Sequence, residues 1–173
     1  MKNIIFLIFI SQILISFSCK EASFNIDKET IGSISIIIPD TANSIVLFAA
    51  DELKKHLDLV FGGDIHITDL PAGIKSGKKF FIGIKPKGFD RSLNPEEAVY
   101  VVRKNSVYIF GDDAVNIKYS TERPGELKNK MLSEALNIAS NRAGTLFATY
   151  NFLENELGIK WVKPGDDGIF YQN

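Results

Sequence analysis

The sequence predicts an α+β fold: a two-layer sandwich with a mixed, mostly antiparallel sheet and two main helices packed on one face. Three observations lead there. Ile45, Ala49, Leu53 and Leu57 recur every fourth residue and mark one long amphipathic helix. Leu146, Phe147, Tyr150, Leu153 and Leu157 mark a second near the C-terminus. Around them, short β-branched and aromatic runs give the order β-α-β-β-β-β-α-β, which gathers the helices on one side of a sheet.

Taken in order, the first strand is Ile34 to Ile38, interrupted by Ser35 and stopped by Pro39-Asp40. The first helix follows, with Phe48 and Val60 beside its stripe and Asp51, Glu52, Lys54 and Lys55 opposite. Asp40, Thr41, Asn43 and Ser44 are its N-cap candidates, and Gly62-Gly63 ends it. Ile65-His66-Ile67 alternates as a half-buried strand, while Phe80 to Ile84 is a buried-strand run. Val99 to Val102 and Val107 to Phe110 are separated by Arg103-Lys104-Asn105-Ser106, the size of a hairpin loop, and Asn105 tolerates positive φ. Residues 112–141 have little periodicity beyond a short helical look at Met131 to Ala139; loops of that length are usually functional or mobile. The second helix is stopped by Gly158, Ile159 to Val162 forms a last strand, and residues 164–168 form a turn.

Composition narrows the function classes. The 173 residues are 45% apolar and 24% charged, and 20 basic residues offset 21 acidic ones. A net charge of −1 gives no electrostatic footing for nucleic acid. A single cysteine excludes an internal disulfide framework and a Cys-rich metal site. A whole TIM barrel, which typically needs about 250 residues, does not fit.

The N-terminus is built as an export signal over residues 1–18: a basic start at Lys2, an apolar run from Ile4 to Ile15, then Ser16-Phe17-Ser18. That run is short of the roughly 20 apolar residues of a membrane span. Ser16-Phe17-Ser18-Cys19 resembles a bacterial lipobox, with Ser18 in the small position and Ser16 where leucine is usual. The resemblance implies an acylated Cys19 as the mature N-terminus, with residues 19–29 as a polar tether and the domain over 30–173. Ordinary signal cleavage leaving a free thiol is the alternative. The expected location is the bacterial cell envelope, anchored in membrane through Cys19.

Few residues suggest chemistry. His56, near the polar side of the first helix, and His66, opposite two isoleucines, both read as surface residues, with no His/Cys metal spacing around them. Asp112-Asp113 and Asp166-Asp167 invite a glycosidase or calcium reading. Each pair sits by a glycine, where aspartate more often caps backbone N–H groups, and no EF-hand pattern surrounds them. No phosphate-binding glycine loop or nucleophile elbow is present, so neither cofactor nor metal is expected. Tyr108, Tyr150 and Trp161 are candidates for stacking on sugar. Tyr150 fits the core stripe better, and Trp161 is the best candidate for a contact surface.

Together, Ala49-Ala50-Asp51-Glu52-Leu53, Phe81-Ile82-Gly83, Val107 to Gly111, Gly144 to Glu154 and Leu157 to Trp161 with Pro164-Gly165 resemble one family. It is the N-terminal α+β domain that precedes the catalytic barrel of α-glucuronidases and bacterial β-hexosaminidases, and the match covers about residues 30–168. The resemblance implies a non-catalytic accessory domain of an exported carbohydrate-active lipoprotein, truncated before its barrel. No catalytic residue carries over, because the family's carboxylates lie in the barrel. The implied partner is that barrel, in the same chain or from an adjacent gene, met through an edge containing Trp161, Pro164 and Asp167. A stand-alone glycan-binding module of the envelope is the alternative, and an independent small hydrolase is a third class.

Overall fold

The computed structural model describes residues 24–26, 31–69, 77–114, 142–163 and 166–171. Cys19, the signal segment, residues 115–141 and Pro164, with the expectations that concern them, lie outside the described residues. The elements are β1 (Ser35–Ile37), α1 (Ser44–Phe61), β2 (His66–Thr68), β3 (Lys79–Ile82), β4 (Ala98–Arg103) and β5 (Ser106–Gly111). After them come β6 (Asp113–Ala114), β7 (Arg142–Ala143), α2 (Gly144–Leu157), β8 (Lys160–Trp161) and β9 (Ile169–Phe170). Short 3₁₀ turns at Ile31–Ser33 and Asp166–Gly168 precede β1 and β9.

The fold is α+β, with a five-stranded mixed sheet in the order β2-β1-β3-β5-β4 and two small two-stranded sheets. Within the main sheet the balance differs from the antiparallel one expected. β1 pairs in parallel with β2 and β3, β3 pairs in parallel with β5, and only β4–β5 is antiparallel. The physical reason is connectivity. α1 carries the chain back between β1 and β2, as a parallel crossover requires. The 83–97 segment leads to edge strand β4, which runs back and turns tightly into β5, leaving β5 parallel to β3. The hairpin pairs the two strands the sequence implies, with Val102 opposite Val107, but Arg103 and Ser106 pair as well, so the turn is Lys104-Asn105 alone. Asn105 does not use its tolerance of positive φ; among described non-glycine residues only Glu96 does, at 59°.

Local signals explain the helix ends. Asn43 Oδ1 accepts from Val46 N at 3.0 Å, and Gly62 takes the left-handed conformation at φ 72° and donates to Asp58 O. Helix α2 begins differently. Ala143 stands at its N-cap with no side-chain acceptor to offer. Asp113 does that work from a distant strand: Oδ1 accepts from Thr145 N at 2.8 Å and Oδ2 from Thr145 Oγ1 at 2.6 Å. Gly158 ends α2 in the left-handed region at φ 66°.

Both helices pack on one face of the sheet, and the core lies between the layers. Ile36, Phe80, Ile82, Val107 and Ile109 face Ile45, Ala49, Leu53 and Leu57 of α1 and Leu146, Phe152 and Leu153 of α2, all buried. Phe80, in the central strand, meets Phe24 edge-on at 5.2 Å and Phe152 at 5.4 Å. On the other face Phe81 and Tyr108 stack in parallel at 4.7 Å, and Phe110 meets Phe89 edge-on.

The end of β5 meets the start of α2 backbone to backbone. A Cβ at Gly111 would lie 2.1 Å from the Gly144 carbonyl carbon, and one at Gly144 would lie 2.5 Å from Glu97 O. Nothing in a flexible side chain can yield there. Gly111→Ala is therefore expected to cost about 1–3 kcal/mol, whereas Gly32→Ala, with open space around its Cβ, should change stability by less than about 0.5 kcal/mol. Urea unfolding of the two variants checks the contrast; equal midpoints would refute the close-packing assignment.

Candidate functional site

The densest group of polar and aromatic side chains lies where α1 meets α2 and the C-terminal segment. Glu52 and His56 stand one turn apart on α1, a spacing that puts both on one side of a helix. Tyr150 reaches across from α2, and its hydroxyl donates to Glu52 Oε2 at 3.0 Å. His56 Nε2 lies 3.7 Å from the same oxygen, an electrostatic contact too long for a good hydrogen bond. Trp161 of β8 closes the group, edge-on to His56 at 5.4 Å and to Tyr150 at 5.3 Å, and Tyr171 lies 6.4 Å from His56.

His56 is thus a core residue at 1% exposure, which corrects the surface assignment. The cause is that α1 buries more than one face. Its apolar stripe meets the sheet, and an adjoining side meets α2 and the β8–β9 hairpin. Periodicity detects the apolar stripe but not a second contact made through polar and aromatic side chains. His66 is exposed, as the alternation of its strand implies.

The electrostatics follow from burial and neighbours. Burial pushes the Glu52 carboxyl up, but His56, the Tyr150 hydroxyl and Lys55 outweigh it and hold it below its ordinary range. Burial pushes the Tyr150 hydroxyl well above its usual value, and the Glu52 charge adds to the effect. His56 Nδ1 is buried without a hydrogen-bond partner among the described residues. A carboxylate, an imidazole and a phenol can in principle move protons. Here the imidazole is enclosed between Trp161 and Tyr171, so a substrate has no approach to it. The arrangement fastens the hairpin to the two helices.

Outside this seam the hairpin's outer side carries two apolar side chains and Lys160, which lies opposite Phe170. Val162 is 65% exposed and Phe170 56%, next to the inward-facing Trp161 and Ile169. Of the predicted contact residues, Trp161 is half-buried with its ring edges engaged, and Asp167 is exposed in an ion pair with Lys163 at 2.6 Å. Pro164 lies outside the described residues. Val162 lies within the edge that the sequence suggests, Trp161–Gly168, without being singled out, and Phe170 lies beyond it; the alternation Lys160-Trp161-Val162 is the clue, since an inward Trp161 puts its neighbours outward.

The aspartate pair at 112–113 serves backbone and structural partners. Asp112 pairs with Arg142 and accepts from Glu96 N at 3.1 Å, while Asp113 caps α2. Arg142 draws the Asp112 carboxyl below its ordinary value, and burial pushes that of Asp113 up. Nearby, the guanidinium of Arg91 and the Asn94 backbone hold Glu97 at about 2. Among the described residues no group of three or more His, Cys, Asp or Glu could hold a metal ion, and no helix is long and apolar enough to cross a membrane.

The Glu52–Tyr150 pair has a pH signature. A carboxyl lowered in the folded state stabilises the fold above its unfolded value near 4.3, and that contribution fades as pH falls through the folded value. A phenol raised in the folded state stabilises below its unfolded value near 10 and loses that contribution as pH rises further. The stability gap between wild type and Glu52→Gln should therefore be widest near neutrality and shrink below pH 4. Tyr150→Phe should lose about 1–2 kcal/mol at pH 7 and flatten the decline above pH 10. Melting curves from pH 3 to 11 read both limbs, and pH-independent gaps would contradict the assignment. Compared with protein-family models, with curated proteins and with solved structures, the chain has no match.

Proposed function

We propose that the chain is a non-catalytic accessory domain of an exported, carbohydrate-active lipoprotein, anchored through Cys19 and docked to a catalytic barrel through the β8–β9 hairpin. The observation that carries the reading is the two-sided hairpin. Its inner residues, Trp161 and Ile169, are tied to the core, while Val162 and Phe170 hold apolar surface toward solvent. Exposed apolar side chains on a braced element are what a docking contact needs. The resemblance of residues 30–168 to the domain beside the barrel of α-glucuronidases and β-hexosaminidases supplies the partner class. The exposed pair belongs to the same edge as Trp161, Pro164 and Asp167, the contact residues expected from the sequence.

The test combines genetics with binding. A barrel of the glycoside hydrolase type should be encoded in frame or adjacent, and the purified chain should bind it. Val162→Asp with Phe170→Asp should weaken that binding at least about tenfold, the loss of roughly 1.4 kcal/mol, while leaving the melting temperature within a few degrees. A genome without such a barrel, or a double variant that binds as well as wild type, sinks the proposal.

The second reading, a glycan-binding module, has one feature in its favour. Phe81 and Tyr108 lie stacked at 9° on the sheet face away from the helices, a half-buried aromatic pair. A glycan array with the purified chain discriminates: binding lost in Tyr108→Ala favours the module, and a flat response removes it.

A further inference from the structure

We infer that the end of the domain where the N-terminal arm docks rests non-covalently on an anionic lipid bilayer. The inference goes deeper into the lipoprotein reading above and rests on it. Three features meet at this end. The first is the arm. Phe24 is seated on Phe80, Lys78 Nζ lies 5.6 Å over the Phe24 ring, and Ile26 packs against the core. Only Lys20 to Ser23 separate Phe24 from Cys19, at most about 18 Å of extended chain. An acyl group on Cys19 would therefore keep this end near the headgroups, whichever way the rest of the domain turned.

The second feature is charge. Lys78 precedes β3 and Lys79 opens it, while Arg103 ends β4 and Lys104 lies in the β4–β5 turn. Strand register gathers them: Lys79 and Arg103 both lie opposite Ser106, and Lys79 N donates to Asn105 O at 3.0 Å. Four cations thus line one sheet end in a chain whose net charge is −1. Among the described carboxylates at the same end, Glu154 in the last turn of α2 is exposed and the others are engaged within the domain. Asp58 and Asp64 share Lys54, and Glu156 accepts from the Tyr100 hydroxyl. Basic residues beside an anionic leaflet are attracted over about a Debye length, roughly 8 Å at physiological salt.

The third feature is a groove of about 360 Å³ between the last turns of α1 and α2 and the arm, where Phe24, Ile26, Phe61 and Leu157 line it together with Asn25 and Glu156. Leu59, 56% exposed, stands on the same last turns of α1. A basic rim beside a groove with apolar walls suits an interface of anionic headgroups over acyl chains. At the opposite end the 83–97 loop carries Lys85 and Lys87, both exposed, and they serve as an internal reference.

Amine acetylation read by mass spectrometry tests the placement, using the full chain on vesicles of phosphatidylglycerol and phosphatidylcholine. At low salt, labelling of Lys78, Lys79 and Lys104 should fall at least about threefold relative to Lys85 and Lys87. That protection should disappear on pure phosphatidylcholine and in high salt. Arg103→Glu with Lys104→Glu, both at an exposed turn, should reduce it without lowering the melting temperature. Equal labelling at the two ends, or protection indifferent to lipid charge, overturns the inference. The lipoprotein reading is tested separately in the same digest: a Cys19 peptide carrying no lipid mass refutes that reading, while the lysine ratio still decides the basic edge.

Discussion

Phe80 occupies the centre of the main sheet, and the two layers depend on what it touches. Its strand lies between β1 and β5, so its backbone is hydrogen-bonded on both sides. Its ring meets Phe152 of α2 on one edge and Phe24 of the N-terminal arm on another. Burying an aromatic ring of this size is among the larger single contributions a core can make. Because this one ring contacts sheet, helix and arm, the position of each limits the others. Gly83 extends the same constraint: with φ at 72° and no side chain, it lets Val46 of α1 approach the end of the strand.

How much of this was legible in the sequence varied with the kind of signal. Helices with a strong apolar stripe and a terminal glycine are visible because their cause is local. α1 is found between Ser44 and Phe61 and α2 between Gly144 and Leu157, each ended by a left-handed glycine. The β4–β5 hairpin is visible for the same reason. The pairing partners of β1 and β3 are not, because parallel neighbours are distant in sequence and leave no turn between them. The start of α2 is hidden too. Its cap comes from Asp113, more than thirty residues earlier, so the sequence around Ala143 lacks the usual acceptor.

The candidate site was less legible than the fold. Asp112 and Asp113 do accept from backbone N–H groups, as short acidic side chains beside glycine suggest, but from distant partners and with Asp113 in a strand, where the sequence suggests a turn. The burial of His56 was not legible, since a buried polar residue is recognised only by its partners, and Tyr150, Trp161 and Tyr171 lie about a hundred residues away in sequence. Trp161 was singled out for its size and position near the C-terminus, but its ring edges are committed inward. The exposed neighbours Val162 and Phe170 are ordinary apolar residues in the sequence and gain interest only from the side of the hairpin they occupy.

The contacts of Trp161 with His56 and Tyr150 order the hairpin that carries it. Two strands of two residues each cannot hold a conformation alone, since even a longer isolated hairpin is marginal in water. The hairpin is ordered by its inner side. Trp161 lies against two rings of the helix layer, and Val162 N donates to Gly168 O at 2.9 Å. Gly168 is required at that point, because a Cβ there would lie 2.0 Å from Lys163 O. Burial on the inner side thereby fixes the direction of Val162 and Phe170 on the outer side. A partner binding that surface meets side chains already held in place, and much of the ordering cost of association has been met by folding.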